Sequence, residues 1–137
     1  MIIVDTGPLV ALLDSDDRHH HRCRTWLANN TEPLAVPVPV ITETCYFIER
    51  DSGPSLEADF LDTFNSGGAF EMIDLHPHDW LRARDLIRTY ADLPLGVVDA
   101  SVIAVAERLG ATHIATLDVR HFTIARPSHH PNFQLLP

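Results

Sequence analysis

The 137-residue chain contains no lysine. Its 10 basic residues are all arginine and stand against 19 acids, for a formal charge of -9. That absence excludes chemistry. A phosphate-binding P-loop needs its Lys, and Schiff-base and pyridoxal enzymes need a Lys amine. The arginines are scattered, so there is no basic tail to wrap nucleic acid or anionic lipid. The acid excess argues against loose, charge-driven binding to RNA or DNA, unless a metal site changes the local sign. Cysteine is scarce too. Cys23 and Cys45 have no paired spacing, which suits a reducing cytosol rather than a disulfide scaffold. Long apolar runs are missing: residues 34–41 form the longest and are broken by two prolines, so no membrane span is expected. The first five residues have no basic lead-in and reach Asp5 at once, unlike a signal peptide. A single cytoplasmic domain over residues 1–137 is the expectation.

What is present reads as an ordinary folded globule, 45% hydrophobic and 21% charged. Short apolar runs at 2–4, 34–38, 69–75 and 113–116 predict buried strands, and 133–136 offers a fifth. Between them lie helical patterns. Thr6-Gly7-Pro8 turns the chain into a short helix at 9–13, and a second helix covers 19–29. A third covers 40–50. Ser55 caps a fourth, which ends at 65–68. His78 or Asp79 opens a fifth, with Trp80, Leu81, Ala83, Leu86, Ile87 and Tyr90 at helical spacing. Residues 98–109 are apolar almost all round and predict a buried helix closed by Gly110. Strands alternating with helices call for an α/β fold with a mostly parallel sheet of four to five strands. In such sheets a ligand site lies at the carboxyl ends of the strands, near the switch in strand order.

That topology gives four acids a common address. Asp5 follows the first strand and Asp118 follows the fourth. Asp99 falls in the first turn of the buried helix, where the helix dipole favours a carboxylate. Glu43 lies in an early turn of the helix after the second strand. Each sits beside apolar residues, where an unpaired charge is costly. Converging carboxylates either take up protons or hold a cation. Oxygen-only ligands suit Mg²⁺ or Mn²⁺ rather than Zn²⁺.

Four stretches, Ile3-Val4-Asp5-Thr6-Gly7-Pro8-Leu9, Ile41-Thr42-Glu43, Gly96-Val97-Val98-Asp99-Ala100-Ser101 and Ala115-Thr116-Leu117-Asp118-Val119-Arg120-His121-Phe122, resemble the motifs of the PIN-domain ribonucleases. They are most similar to those of the VapC toxins of bacterial toxin–antitoxin pairs. The likeness runs through nearly the whole chain, in order. It implies a three-layer α/β/α sandwich with Mg²⁺- or Mn²⁺-dependent endoribonuclease activity. It also implies a homodimer and a cognate VapB-type antitoxin. Asp5, Glu43, Asp99 and Asp118 match the family's acidic quartet, and Thr6 and Thr116 its supporting small polar residues. On this resemblance Asp5 and Asp99 bind metal directly, and Asp118 does so directly or through water. Glu43 holds a metal or orients the attacking water. Gly7-Pro8 departs from the Ser-Ala found in many relatives.

Other features have a plain reading beside a chemical one. His19 and Cys23 are four apart within a His19-His20-His21 run, and His129-His130 is a second pair. They suggest either zinc or a solvated helix start and a polar loop. His121 either lines the acid site or packs under its loop. Arg120 is a possible substrate contact for RNA phosphate, whereas Arg84, Arg88 and Arg126 read as surface residues. Trp26, Trp80, Phe47 and Phe60 read as core or dimer interface. Apolar-apolar-Asp-Thr-Gly also matches retroviral aspartic proteases, but that fold is all-β and this chain is rich in helical patterns. Haloacid-dehalogenase-like and response-regulator enzymes use a Lys, which is absent. A non-toxin RNA-processing nuclease and a silent RNA- or protein-binding PIN-like module are the remaining alternatives.

Overall fold

The computed structural model describes residues 1–65 and 68–137. The chain forms β1 (Ile2–Val4), α1 (Thr6–Leu13), α2 (His20–Asn29), β2 (Leu34–Pro37), α3 (Val38–Ser52), α4 (Pro54–Asp62), β3 (Phe70–Ile73), α5 (Pro77–Thr89), α6 (Val97–Leu109), β4 (His113–Ala115), α7 (Val119–Ile124) and β5 (Gln134–Leu136). All five strands are parallel, in the order β3-β2-β1-β4-β5. β1 lies centrally, with Ile2 opposite both Leu34 and His113.

The α/β expectation therefore holds, and the sheet is wholly parallel. The chain runs outward from β1 through β2 to β3, then crosses back to place β4 on the other side of β1. The direction of travel reverses between β1 and β4. With right-handed crossovers this reversal puts helices on both faces of the sheet, giving the three-layer α/β/α sandwich.

The core reflects this arrangement. Ile2, Ile3, Val4, Val36, Ile114 and Ala115 are fully enclosed, as expected for strands covered on both faces. In α6, residues Ala100 to Ala106 are all buried. This helix packs along β1 and β2 and against α3 and α5. Gly110 ends it in the left-handed conformation at φ 67°, which a residue without Cβ adopts readily.

Several boundaries differ from expectation. α1 starts at Thr6, so the Thr6-Gly7-Pro8 turn is its first helical turn. α3 takes in Val38 and Pro39, because a proline is tolerated in a first turn whose N–H groups need no partner. β3 is confined to Phe70–Ile73. The predicted stop of α4 at 65–68 includes Ser66 and Gly67, which lie outside the described residues; α4 itself ends at Asp62. α7 was not anticipated: six residues are too few for a helical period to show. In α5 the inward stripe is Asp79, Ala83 and Leu86, while Trp80 and Leu81 are half exposed. A buried carboxylate thus occupies the face that hydrophobicity assigned to Trp80. No described helix is long and apolar enough to cross a membrane.

Candidate active site

β1 ends at Val4 and β4 at Ala115, side by side at the point where strand order reverses. Asp5 and Asp118 leave the sheet there. Asp5 is the N-cap residue of α1, yet its side chain makes no cap bond. It turns toward the fourth strand instead and accepts a hydrogen bond of 2.7 Å from Thr116 Oγ1. The same Thr116 hydroxyl accepts from the Asp118 backbone N–H at 2.9 Å. One threonine thus ties the two strand ends together. Asp118 caps α7, with Oδ1 accepting from the His121 backbone N–H at 3.0 Å. The turn-forming role open to Asp118 from sequence is therefore real, and its second carboxylate oxygen, Oδ2, faces the His121 ring.

The other two acids arrive on helices. Asp99 is the third residue of α6. Glu43 stands in the second turn of α3, where Thr6 Oγ1 donates to its Oε2 at 2.5 Å. Asp5, Thr6, Glu43, Asp99, Asp118 and Arg120 line one open cavity of about 790 Å³. All four acids predicted from sequence line this cavity, though among the described residues only Asp99 and Asp118 of them fall in a group at metal-ligand spacing. Thr6 and Thr116 are bonded to members of the quartet, and Arg120 is part of the lining. Gly7 lines the same cavity. A Cβ there would come within 3.1 Å of Leu117, so the close approach of α1 to the β4–α7 loop accounts for glycine at this position.

Sequence reasoning missed part of the lining. Phe47 and Arg50 face the cavity. With Glu43 they follow the i, i+4, i+7 pattern of one helix face, a signal that was legible in the sequence. Phe47, which by sequence reads as core or dimer interface, borders the cavity because that face of α3 continues past Glu43. Arg50 pairs with Asp51 and lies 5.1 Å from the Phe47 ring centroid. The sequence allows His121 either to line the acid site or to pack under its loop. Its Nδ1 stands 2.8 Å from Asp99 Oδ2 and 2.8 Å from Asp118 Oδ2, so it belongs to the acid site.

Burial governs the electrostatics. Asp5 is 5% exposed, and its pKa is pushed up to about 6. Loss of solvent is the main cause, opposed by hydrogen bonds from Thr116 and the Thr6 backbone; Asp99 and Glu43 add repulsion. Asp99 is also raised, first by burial, with His121 acting against the shift and Asp118 and Glu43 adding to it. Among the described residues no arginine forms an ion pair with any of the four. A crowded, partly buried carboxylate set that, among the described residues, meets no arginine and shares only the His121 imidazole fits a divalent ion.

The remaining titratable clusters are committed elsewhere. His20 Nδ1 bonds the Ala11 carbonyl, and Cys23 is fully buried, which raises its thiol pKa. His129 Nε2 bonds the Ala111 carbonyl. Among the described residues, Asp99, Asp118 and His121 form the one group of three or more acid, His or Cys side chains with metal-ligand spacing. Trp26 packs against the core, and Phe60 is fully enclosed within it.

Comparison with known proteins agrees with this geometry. The chain is 28% identical over 136 residues to ribonuclease VapC26 of Mycobacterium tuberculosis (strain ATCC 25618 / H37Rv), covering 99% of this chain and 100% of the relative. Its fold matches the crystal structure of M. tuberculosis VapC20, a sarcin-ricin loop cleaving toxin. That match has a TM-score of 0.77 at 18% identity, over 83% of this chain and 87% of the other. The DNA-bound VapBC complex of Salmonella typhimurium matches with a TM-score of 0.68 at 16% identity, over 98% and 97% of the two chains. The PIN domain family model matches residues 2–127, which include every acid of the cavity. On this match, and with its acids gathered at the reversal point of a parallel sheet, the chain belongs to the PIN domain family.

Proposed function

We propose that this chain is a divalent-metal-dependent endoribonuclease, the toxin half of a VapBC-type pair, acting as a single domain in the cytoplasm. The observation that carries the reading is that Asp5, Glu43, Asp99 and Asp118 line one cavity and, among the described residues, none of them is paired with an arginine. Membership of the PIN family and similarity to a ribonuclease over nearly the full length support the reaction class.

Asp5, Asp99 and Asp118 are the residues that would hold Mg²⁺ or Mn²⁺, with Glu43 beside them. A divalent ion supplies charge neutralisation at the phosphate and lowers the pKa of water at neutral pH. The chain's own groups do the rest. Thr116 orients the Asp5 carboxylate, and Thr6 holds Glu43 by one oxygen. The second Glu43 oxygen remains to accept a proton from water or to contribute to cation binding. Arg120, which lines the cavity as Arg50 does, would meet an RNA phosphate. The acidic cavity also suits an arginine from a VapB-type antitoxin, which would pair with carboxylates that, among the described residues, have no arginine partner. Homodimer formation is part of the same reading.

The test is RNA cleavage by the purified protein with added Mg²⁺ or Mn²⁺ and a chelator control. Asp5→Asn should reduce cleavage by roughly a thousandfold, the scale for loss of a key electrostatic stabiliser. An Asp5→Asn protein that cleaves at the wild-type rate would refute the reading. Metal-independent cleavage by the wild type would refute its cofactor.

A further inference from the structure

We propose that His121 is itself a ligand of the cation, and that its imidazole biases the cavity toward Mn²⁺ over Mg²⁺. The inference rests on the reading of the cavity as a divalent-ion site, and it adds a nitrogen donor to an acidic quartet.

The geometry is specific. Nδ1 of His121 is equidistant, at 2.8 Å, from one oxygen of Asp99 and one of Asp118. The three atoms lie within 4.8 Å of one another. Ligands on adjacent corners of an octahedron of about 2.1 Å radius stand about 3 Å apart, so the nitrogen already has the spacing of a neighbouring ligand. The ring is also held in place. Its backbone N–H is bound to Asp118 Oδ1, and the next residue, Phe122, is 2% exposed and anchors α7 in the core. The His121 side chain is itself only 21% exposed. A cation entering between the two carboxylates would take the place of the Nδ1 proton, and the ring, its proton then on Nε2, would offer it the Nδ1 lone pair.

The consequence is selectivity. Mg²⁺ prefers oxygen and gives up water reluctantly, whereas imidazole nitrogen is a ligand of transition metals. A donor set containing one nitrogen therefore benefits Mn²⁺ more than Mg²⁺. The same carboxylates without His121 would treat the two ions more evenly.

The experiment uses the full chain and Mn²⁺ alone as probe. Bound Mn²⁺ is counted by electron paramagnetic resonance, its nitrogen coupling is read by electron spin-echo modulation, and Mg²⁺ affinity is measured by competition. Wild-type protein should show coupling from one directly bound nitrogen. His121→Gln, which keeps a polar side chain, should abolish it. Mn²⁺ affinity should fall by about tenfold and Mg²⁺ affinity by less than about twofold. Bound Mn²⁺ that disappears in Asp99→Asn but shows no nitrogen coupling in the wild type overturns the role of His121 and leaves the metal-site reading standing. Coupling that persists in His121→Gln, or an unchanged Mn²⁺-to-Mg²⁺ ratio, has the same effect. Absence of bound Mn²⁺ in the wild type overturns both readings. The wild-type spectrum is decisive even if a variant fails to fold.

Discussion

Two regions of this molecule bury carboxylates, and they treat them in opposite ways. Where α5 meets α6, Asp79 is 3% exposed and takes two contacts from Arg108 Nε, at 2.9 and 3.1 Å. It also accepts from the His76 backbone N–H, closing a capping box at the start of α5. Glu107 nearby is held by both donors of Arg82 and by the Ser128 backbone N–H. At the carboxyl edge of the sheet, Asp5 is about as deeply buried as Asp79, yet its side-chain partner is a threonine hydroxyl. The first region carries its own counter-charges and is complete. The second has, among the described residues, no arginine on its acids and only the His121 imidazole beside Asp99 and Asp118. Burial alone does not mark a functional acid. Burial without a basic partner on its side chain is what sets Asp5 apart from Asp79, because desolvation then pushes its carboxyl toward the protonated form.

Removing a counter-charge from the complete region should have the largest effect on stability. Arg108→Met leaves Asp79 buried and unpaired and should cost about 3–5 kcal/mol in denaturant unfolding. Divalent-ion affinity should stay unchanged. Loss of metal binding in that variant would erase the distinction between the two regions.

The acid cavity should respond in the opposite sense. The pKa of Asp5 in the fold, about 6, lies above the ordinary 3.8, so the metal-free fold binds this proton more tightly than the unfolded chain does. Asp5 therefore withdraws stability as pH rises from about 4 through 6, on the order of 3 kcal/mol once both states are ionised. Thermal unfolding in chelator should show Asp5→Asn to be more stable than the wild type at pH 7.5 and equal to it below pH 4. Mn²⁺ should stabilise the wild type at pH 7.5 and not the variant. A variant less stable than wild type at pH 7.5 would place Asp5 with Asp79 as a structural acid.

Two smaller effects refine the picture. Thr116→Val removes the donor to Asp5 and the acceptor for the Asp118 N–H, and should weaken Mn²⁺ binding by about tenfold as read by calorimetry. Arg120→Ala should raise KM for RNA by about fivefold, roughly one phosphate contact, with kcat and metal affinity preserved. A fall in kcat instead would move Arg120 from substrate binding to the chemical step.

The sequence exposed the site more fully than it exposed the helices around it. Asp5 and Asp118 were legible because each ends a short apolar run, and in a parallel sheet every such end lies on one edge. Asp99 was legible because it opens a helix that is apolar on nearly every side. Phe47 and Arg50 share a helix face with Glu43, and hydrophobicity assigned the aromatic ring to the core. Asp79 escaped notice as a buried residue, since neither its neighbours nor its spacing announce an arginine 29 residues away. α7 is shorter than two helical turns and carries no periodic signal.

Local order and edge placement were thus written in the chain: apolar runs specify buried strands, and their ends specify where acids emerge. Which carboxylates have arginine partners, and which meet hydroxyls, backbone N–H groups and an imidazole instead, was settled by folding. Thr116 and Asp5 are 111 residues apart, and His121 reaches Asp99 across 22. Such contacts form because β1 and β4 become neighbours when strand order reverses, a consequence of packing the whole sheet that no local pattern encodes.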